Sequence, residues 1–247
     1  MGYIIENYKK IHPFDLRYGV KTSEHIAAKH IAPTPEFSEK MIDYEPVQPS
    51  VVRQSINLLR IPSTLKEYDF IDLGCGKGRA TIVASEFPFN QVMGVEISSR
   101  LASIARENAK IISNRYPNRP NIEIIEGNAV DFPASNKKVI LFLYNPFVPE
   151  LVDQLARNIE QKFENDIQHM FVIYHNPVGS LIFDSSDYLQ RWHAVQLESE
   201  DSEKGYGYDT EGVTAIWQSK HNATPTPYTD ANRRIYDNGT YPYFRKT

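Results

Sequence analysis

The residues with the clearest potential for chemistry form the segment FIDLGCGKGR at positions 70–79. An apolar run carries Asp72 into a turn with three alternate glycines, Gly74, Gly76 and Gly78. A glycine has no Cβ, so such a turn lets a ligand approach the backbone closely. Open α/β sheets bind ligands at the carboxyl ends of their strands. The segment therefore predicts a strand, a ligand-binding turn and a helix; a tight turn that binds nothing is the alternative.

Two phosphate-binding motifs are close to this turn in form, and both fit it poorly. A dinucleotide site has the spacing G-x-G-x-x-G/A. Counted from Gly74, its last small residue falls on Arg79, whose side chain would obstruct the packing of helix against strand. A Walker A loop ends in Gly-Lys-Ser/Thr, whereas Lys77 here precedes Gly78. We expect Arg79 instead to begin the helix with its charged group in solvent.

Three later apolar runs also end in polar residues: Glu96, Asn128 and Asn145. One carboxylate can accept hydrogen bonds from two vicinal hydroxyls, which suits Glu96 to a sugar. A helix-capping acid is the alternative for Glu96. Turn-forming residues are the alternative for Asn128 and for nearby Asp131, and a strand-ending turn is the alternative for Asn145.

With these residues in place, the sequence resembles the class I S-adenosylmethionine-dependent methyltransferases. The segment DLGCGKG at positions 72–78 is similar to their first motif, and their pattern continues in order through about residues 46–220. The resemblance implies that the turn cradles the methionine part of S-adenosyl-L-methionine, that Asp72 orients the turn and the cofactor's amino group, and that Glu96 binds the ribose. At the adenine position the family often has Asp where this chain has Asn128, and Asp131 could substitute. The cofactor-binding residues implied are Asp72, Gly74, Cys75, Gly76, Gly78, Glu96, Asn128, Ala129 and Asn145. Cys75 is expected to be a small filler of the turn rather than a nucleophile.

The segment NPF at positions 145–147 resembles the Asn/Asp-Pro-Pro-Tyr/Phe motif of amine methyltransferases, without its second proline. By this resemblance Asn145 and Tyr144 orient the acceptor, and Phe147 stacks on a planar group. His175 is a candidate catalytic base, with a hydrogen-bonded structural histidine as the alternative. The predicted substrate-binding residues are Pro146, Phe147 and Tyr44.

The whole set is also similar to a bacterial branch of the fold with a DLGxGKGR turn and, more distantly, to lysine methyltransferases that lack a SET domain. Residues 14–20 and 44–50 resemble amino-terminal elements of that branch. In related enzymes this region covers the cofactor and helps to shape the acceptor site.

The elements that must position these residues alternate along the chain. Apolar runs predict strands at residues 68–73, 91–96, 121–126, 139–144 and 170–174, with an antiparallel pair at 192–198 and 212–218. Helices are predicted at 79–86, from Ser98 or Ser99 onward, and at 149–165. This order predicts an α/β fold, a Rossmann-like seven-stranded, mostly parallel sheet with an antiparallel last pair and helices on both faces.

The flanking parts carry weaker patterns. Ser23 is predicted to cap a short helix through His30, and Ser50 a longer helix. The predicted organisation is an amino-terminal arm or cap at 1–45, the methyltransferase domain at 46–220 and a polar, aromatic tail at 221–247. Aromatic residues in that tail either line a lid or pack on the domain: Tyr228, Tyr236, Tyr241, Tyr243 and Phe244.

Composition limits the remaining classes. The chain has 247 residues, 27 basic and 31 acidic, with a net charge of −4, which disfavours binding to duplex nucleic acid or an anionic membrane. Its one cysteine excludes an internal disulfide. His25 and His30 are five positions apart, which misses the helical spacing of zinc ligands, so no metal is expected. The start of the sequence has no secretory pattern and no run is long enough to span a bilayer, so we expect a cytoplasmic protein.

These observations predict an S-adenosylmethionine-dependent methyltransferase that acts on an amine of a protein or small molecule. The alternatives are a nucleic-acid amine methyltransferase and a module that binds the cofactor without transferring its methyl group. A nicotinamide-dependent oxidoreductase is disfavoured by Arg79. The sequence leaves the acceptor and the oligomeric state open.

Overall fold

A seven-stranded sheet forms the centre of the fold in a computed structural model that describes residues 10–61, 64–133, 137–163, 169–207, 211–229, 233–236 and 242–244. Its strands are β1 (Tyr68–Leu73), β2 (Gln91–Glu96), β3 (Ile122–Glu126), β4 (Lys138–Tyr144), β5 (Met170–His175), β6 (Leu189–Glu198) and β7 (Glu211–Ser219). Their spatial order is β3-β2-β1-β4-β5-β7-β6. The first five are parallel, and β7 runs antiparallel to both β5 and β6, which confirms the predicted fold class.

The strand order reverses between β1 and β4, which are neighbours although β2 and β3 lie between them in sequence. Connections leave this point in opposite directions, so a crevice opens outside the carboxyl ends of the two strands. Asp72 near the end of β1 is in register with Gly94 of β2 on one side and Phe142 of β4 on the other. The sheet therefore brings together the strand ends that carry the predicted site residues.

Helices cover both faces of the sheet. They are α1 (Pro13–Tyr18), α2 (Pro35–Ser38), α3 (Pro49–Leu58), α4 (Arg79–Ala84), α5 (Ser99–Arg115), α6 (Pro149–Phe163) and α7 (Ser180–Asp184). Phe70 of β1 packs in a core with α3, α4 and α5, whereas the next residue, Ile71, packs in a second core with α6. Successive strand residues point to opposite faces, and both faces of β1 are buried, as expected for a parallel strand in the middle of a sheet.

The amino-terminal region differs from the prediction. No helix follows Ser23; residues 28–30 form a single 3-10 turn, and the hydroxyl of Ser23 donates to Asp15 instead of capping. The sequence pattern missed α1, which begins after His12, whose ring accepts from the amide of Phe14. Residues 1–9 of the predicted arm lie outside the described residues.

Helix α3 was predicted correctly, but its cap was not. The N-cap is Gln48, and Pro49 fills the first turn, where a missing N–H costs nothing. Ser50 lies inside that turn, and its amide and hydroxyl both donate to the carboxylate of Glu203. A side chain distant in sequence therefore replaces the local cap.

Two of the carboxyl-terminal aromatic residues, Tyr228 and Phe244, pack against the domain core, whereas Tyr243 is 47% exposed. Tyr228 stacks on His193 with 3.6 Å between ring centroids, and its hydroxyl donates to the carbonyl of Leu58 at 2.8 Å. Two short strands, β8 (Ile235–Tyr236) and β9 (Tyr243–Phe244), pair with each other. Tyr241 lies outside the described residues. Within the ranges given above, no helix has the length and apolar character to cross a membrane.

Candidate active site

A cavity of about 210 Å³ lies at the carboxyl ends of β1, β2 and β4, where the strand order reverses. Residues 41–47 of the amino-terminal region also line the cavity and form what is called its outer wall below. Most predicted site residues line it: Tyr44, Asp72, Gly74, Cys75, Gly76, Glu96, Asn128, Ala129, Tyr144, Asn145, Pro146 and Phe147. Gly78 and His175 do not.

The glycine turn follows β1 without a break. The amides of Gly74 and Cys75 both donate to the carbonyl of Val95 on β2, at 2.9 and 3.0 Å, which ties the turn to the neighbouring strand. Gly74, Gly76 and Gly78 have φ values of 79°, 55° and 84°, in the left-handed region that favours glycine. A Cβ on Gly76 would lie 2.3 Å from the Tyr44 ring. Part of the requirement for glycine therefore comes from the protein's own packing.

Glu96 ends β2 with its side chain buried in the cavity wall. Its two carboxylate oxygens accept from the amides of Gly76 and Ser98, both at 2.8 Å. Burial raises the pKa of this carboxyl, and the amide donors oppose that rise. These amides hold the carboxylate in place, and its remaining lone-pair capacity can accept from a ligand hydroxyl.

Asp72 lies beside Glu96 and is equally buried. Burial, and then the charge of Glu96, raise the pKa of its carboxyl to about 8. Two buried carboxyls in one wall favour a ligand that carries a positive group. Such a group beside Asp72 would favour the ionised form of its carboxyl. This pair suits a ligand that carries both hydroxyls and an ammonium group.

Cys75 and Gly78 stabilise the turn through contacts with β2 and within the turn itself. A Cβ on Gly94 would lie 2.7 Å from the Cys75 sulfur, so the thiol fills the gap between turn and β2. Burial raises the pKa of the Cys75 thiol well above its ordinary value, which fits a filler rather than a nucleophile. Gly78 is the N-cap of α4, and its amide donates to the carbonyl of Cys75 at 2.8 Å.

Asn128 caps the short 3-10 turn at 129–131, where its side-chain oxygen accepts from the amide of Val130 at 3.3 Å. Asp131 lies outside the cavity lining and accepts from Asn158 at 3.3 Å. Of the two candidates for the adenine contact, only Asn128 reaches the cavity.

The acceptor motif lies at the end of β4. Asn145 is half-buried with a φ of 38°, and its side-chain oxygen accepts from the Tyr174 hydroxyl at 3.4 Å. Pro146 packs against Gly74, where an added Cβ would be 2.8 Å away. Phe147 forms an antiparallel bridge with Met41. The motif therefore joins the cofactor turn on one side and the amino-terminal region on the other.

His175 is fully buried at the end of β5, and its Nδ1 lies 2.7 Å from the hydroxyl of Thr214. Burial lowers the pKa of the imidazole to about 3, so the ring is neutral near pH 7 and a weak base. This geometry favours the hydrogen-bonded structural alternative for His175.

Tyr44 forms part of the outer wall. Its backbone pairs with Ile26, and its hydroxyl donates to the carbonyl of Thr22 at 2.7 Å. The ammonium of Lys77 lies 5.1 Å from the centre of the Tyr44 ring and donates to the carbonyl of Ser23 at 2.8 Å. The outer wall is thus tied to the glycine turn by a side chain of the turn itself.

Arg79 is a lining residue that the sequence analysis placed in solvent, and that expectation was wrong. Its side chain is 2% exposed. Its Nε donates to the hydroxyl of Thr22 at 2.7 Å, and its guanidinium lies near the carboxylate of Asp15. The sequence did contain a sign of this burial. Arg79 lies just after the glycine turn, at the position where a dinucleotide site has a small residue packed against the strand.

The hydrogen-bond acceptors that line the cavity fit S-adenosylmethionine. Two buried carboxyls, Asp72 and Glu96, can take an ammonium and sugar hydroxyls, and Asn145 presents an amide oxygen at the end of β4. These three residues line one cavity, so a single ligand could contact all of them.

Comparison with known proteins places part of the chain in a described family. Residues 70–162 match the family described as "Methyltransferase domain". This segment holds the glycine turn, Glu96, Asn128 and the motif at 145–147. The match confirms the class predicted from the motifs and S-adenosylmethionine as the cofactor of that class.

A curated relative from Methanocaldococcus jannaschii, named as a protein N5-glutamine methyltransferase, is 28% identical over 111 residues. The match covers 45% of this chain and 50% of the relative, so the chain spans about half the length of that protein.

Solved structures are similar at low identity. An RNA methyltransferase from Salinibacter ruber in complex with S-adenosyl-L-homocysteine is 20% identical, with a TM-score of 0.45 over 73% of this chain and 96% of that chain. A precorrin-6y C5,15-methyltransferase from Geobacter metallireducens is 14% identical, with a TM-score of 0.45 over 69% of this chain and 87% of that chain.

Proposed function

From the methyltransferase domain at residues 70–162, we propose that this chain transfers the methyl group of S-adenosylmethionine to a nitrogen of a protein or small-molecule acceptor. The observation that carries the proposal is a shared cavity. Asp72 and Glu96, suited to the cofactor, line the same cavity as Asn145 and Phe147, suited to a nitrogen acceptor. The curated relative's name, which assigns it a protein glutamine side chain, also favours a nitrogen acceptor on a protein.

S-adenosylmethionine supplies an already activated methyl group, so the protein's contribution is largely position and electrostatics. Glu96, held by two backbone amides, accepts from the ribose hydroxyls. Asp72 faces the cofactor's ammonium group, which keeps its carboxyl ionised at neutral pH.

Asn145 orients the acceptor in this proposal. Its left-handed backbone and its contact with the Tyr174 hydroxyl hold the side-chain oxygen at the cavity edge. That oxygen accepts an N–H of the acceptor and directs the nitrogen lone pair into the cavity. A neutral amide nitrogen needs no prior loss of a proton, whereas a charged amine does. The low pKa of His175 and its place outside the lining favour loss of that proton to water.

Calorimetric titration with S-adenosylhomocysteine tests cofactor binding. We expect micromolar affinity, and we expect Glu96→Ala to weaken binding by about 1–3 kcal/mol, the scale of hydrogen bonds to a charged group. Glu126→Ala is the matched control. Glu126 is the register partner of Glu96 on β3, is 45% exposed and lies outside the cavity lining. Equal affinity of wild type and Glu96→Ala would contradict the ribose assignment.

Transfer of a labelled methyl group from S-adenosylmethionine to fractionated cell extract tests the acceptor. We expect label in protein or small amines that resists ribonuclease. We expect Asn145→Ala to lose the label even at S-adenosylmethionine concentrations that calorimetry shows to saturate the variant. Label in RNA would replace the proposal with the nucleic-acid alternative. Binding without transfer to any fraction would support a non-catalytic module.

A further inference from the structure

Arg79 lines the cavity, and one donor of its guanidinium has no acceptor among the residues that the structure describes. Its Nε donates to Thr22, and its Nη1 makes a long contact of 3.5 Å with the carbonyl of Val47. Its Nη2 is buried and has no hydrogen-bond partner within the part of the chain that the structure describes. A buried charged donor without an acceptor is costly, so such a group in a cavity wall indicates a ligand that supplies the acceptor.

Asp15 does not supply it. The nearest approach of its carboxylate to Nη2 is 3.8 Å, beyond hydrogen-bond distance. Both of its oxygens already accept from the amide and hydroxyl groups of Thr22 and Ser23. Asp15 therefore balances part of the charge of Arg79 and leaves the Nη2 hydrogens free.

The cavity walls carry opposite charges. Asp72 and Glu96 lie at the ends of β1 and β2, whereas Arg79 lies against residues 15–47 of the amino-terminal region. Burial lowers the pKa of Arg79, and the carboxylates of Asp15 and Glu203 oppose that decrease. The positive and negative walls are thus separate, an arrangement that complements a zwitterion such as an α-amino acid.

We infer that Arg79 is a carboxylate-binding residue of this cavity, and that its ligand is the α-carboxylate of the amino-acid part of S-adenosylmethionine. The inference rests on the proposed function, because it takes that cofactor as the ligand. Nη2 donates a charge-assisted hydrogen bond to the carboxylate while Asp72 faces the ammonium group.

Two ligands that differ only in this carboxylate provide the test: S-adenosylhomocysteine and its decarboxylated analogue, S-adenosyl-3-thiopropylamine. In wild type we expect calorimetric titration to give about 10- to 100-fold tighter binding of the carboxylate-bearing ligand. In Arg79→Met we expect the two dissociation constants to become equal, with that of the analogue unchanged. Unchanged affinity for the analogue also shows that the variant keeps its fold.

Arg53→Met is the matched control. Arg53 is also partly buried and pairs with Glu86 at 2.7 Å, but it does not line the cavity, so its loss should leave the ratio of the two constants intact. If Arg79→Met does not fold, Arg79→Lys replaces it. Lysine keeps the charge but not the planar fork, and we expect the ratio to fall about tenfold.

The outcomes separate the two claims. A wild-type protein that binds neither ligand contradicts the proposed function. A wild type that binds both ligands equally, or an Arg79 variant that keeps the wild-type ratio, overturns the assignment of Arg79 and leaves the proposed function standing. An Arg79 variant that keeps the wild-type ratio would mean that Arg79 binds the carboxylate of an acceptor or has only a structural role.

Discussion

The two walls of the cavity are held by different forces. The turn wall, residues 72–78 with Glu96, is fixed mostly by backbone bonds to the next strand, as in the pair from Gly74 and Cys75 to Val95. The amino-terminal wall, residues 10–48, has two short helices, one 3-10 turn and isolated bridges. Buried side-chain contacts with distant residues hold it, such as Lys77 to Ser23 and Asn108 to Lys21.

The difference shows that regular structure and tight attachment are separate properties. The amino-terminal wall has little regular structure. Its side chains Phe14 and Tyr18 are nevertheless buried in the core that contains α3, α4 and α5. We therefore expect this region to be an integral part of the folded domain rather than a detachable arm. Variants at Asp15, Gly76 and Asp72, with their controls, test that expectation and the contrast between the walls.

The largest effect is expected at Asp15, the centre of the amino-terminal wall. Asp15→Ala removes acceptors from two amides and two hydroxyls and leaves Arg79 without a nearby carboxylate. A buried charge left without its partner costs about 3–5 kcal/mol, and we expect the free energy of unfolding to fall by that amount. Urea unfolding followed by circular dichroism measures it.

Asp43→Ala is the control within the same wall. Asp43 also accepts a backbone amide, from Ala28 at 2.8 Å, but its side chain is 47% exposed. We expect a loss of about 1 kcal/mol. If Asp15→Ala cost no more than this control, the amino-terminal wall would be a loosely attached arm after all.

A smaller loss is expected at Gly76, where the two walls meet. Gly76→Ala puts a Cβ in the left-handed region and 2.3 Å from the Tyr44 ring. Backbone strain and overpacking together predict a loss of about 2–4 kcal/mol, measured as above.

Gly205→Ala separates the two contributions. Gly205 has a φ of 83°, but an added Cβ there meets nothing within 4 Å. Strain alone predicts about 1–2 kcal/mol. Combining Gly76→Ala with Tyr44→Ala should recover the packing part, so the double variant should cost less than the two single changes added together. Strict additivity would mean that the walls are not in contact at this point.

The turn wall could be predicted from the sequence because its information is local. Four apolar residues and two aspartates, followed by the glycine turn, make up β1, and parallel strands place their carboxyl ends on one edge of the sheet. Asp72, Glu96 and Asn145 therefore reach one cavity, as expected from three separate motifs. Boundaries also held closely, with β1 and β2 observed at the predicted residues.

The amino-terminal wall could not be predicted because its contacts are long-range. Ser23 is a good helix cap by type, but Asp15 takes its hydroxyl. Arg79 has the character of a solvated helix residue until Thr22 and Asp15 are folded beside it. Neither partner follows a sequence period, so only the folded chain shows that Arg79 is buried in the cavity wall.

The smallest expected effect is a pH dependence of the free energy of unfolding that comes from Asp72 in the turn wall. The pKa of the Asp72 carboxyl rises from 3.8 to about 8, chiefly through burial and then through Glu96. Between these two values the folded chain holds a proton that the unfolded chain has released. The free energy of unfolding contributed by Asp72 therefore falls as pH rises from about 4 to about 8.

Asp72→Asn removes this titration while keeping the shape of the side chain. Unfolding at pH 5 and pH 8 should show the wild type losing about 1–3 kcal/mol more than the variant between the two conditions. The histidines with lowered pKa values, His12, His169 and His175, titrate in both proteins, so their contribution cancels in the difference. Saturating S-adenosylhomocysteine, which brings an ammonium group, should reduce the wild-type loss. An equal pH dependence in wild type and variant would mean that Asp72 is ionised throughout, and that the turn wall holds its charge without a ligand.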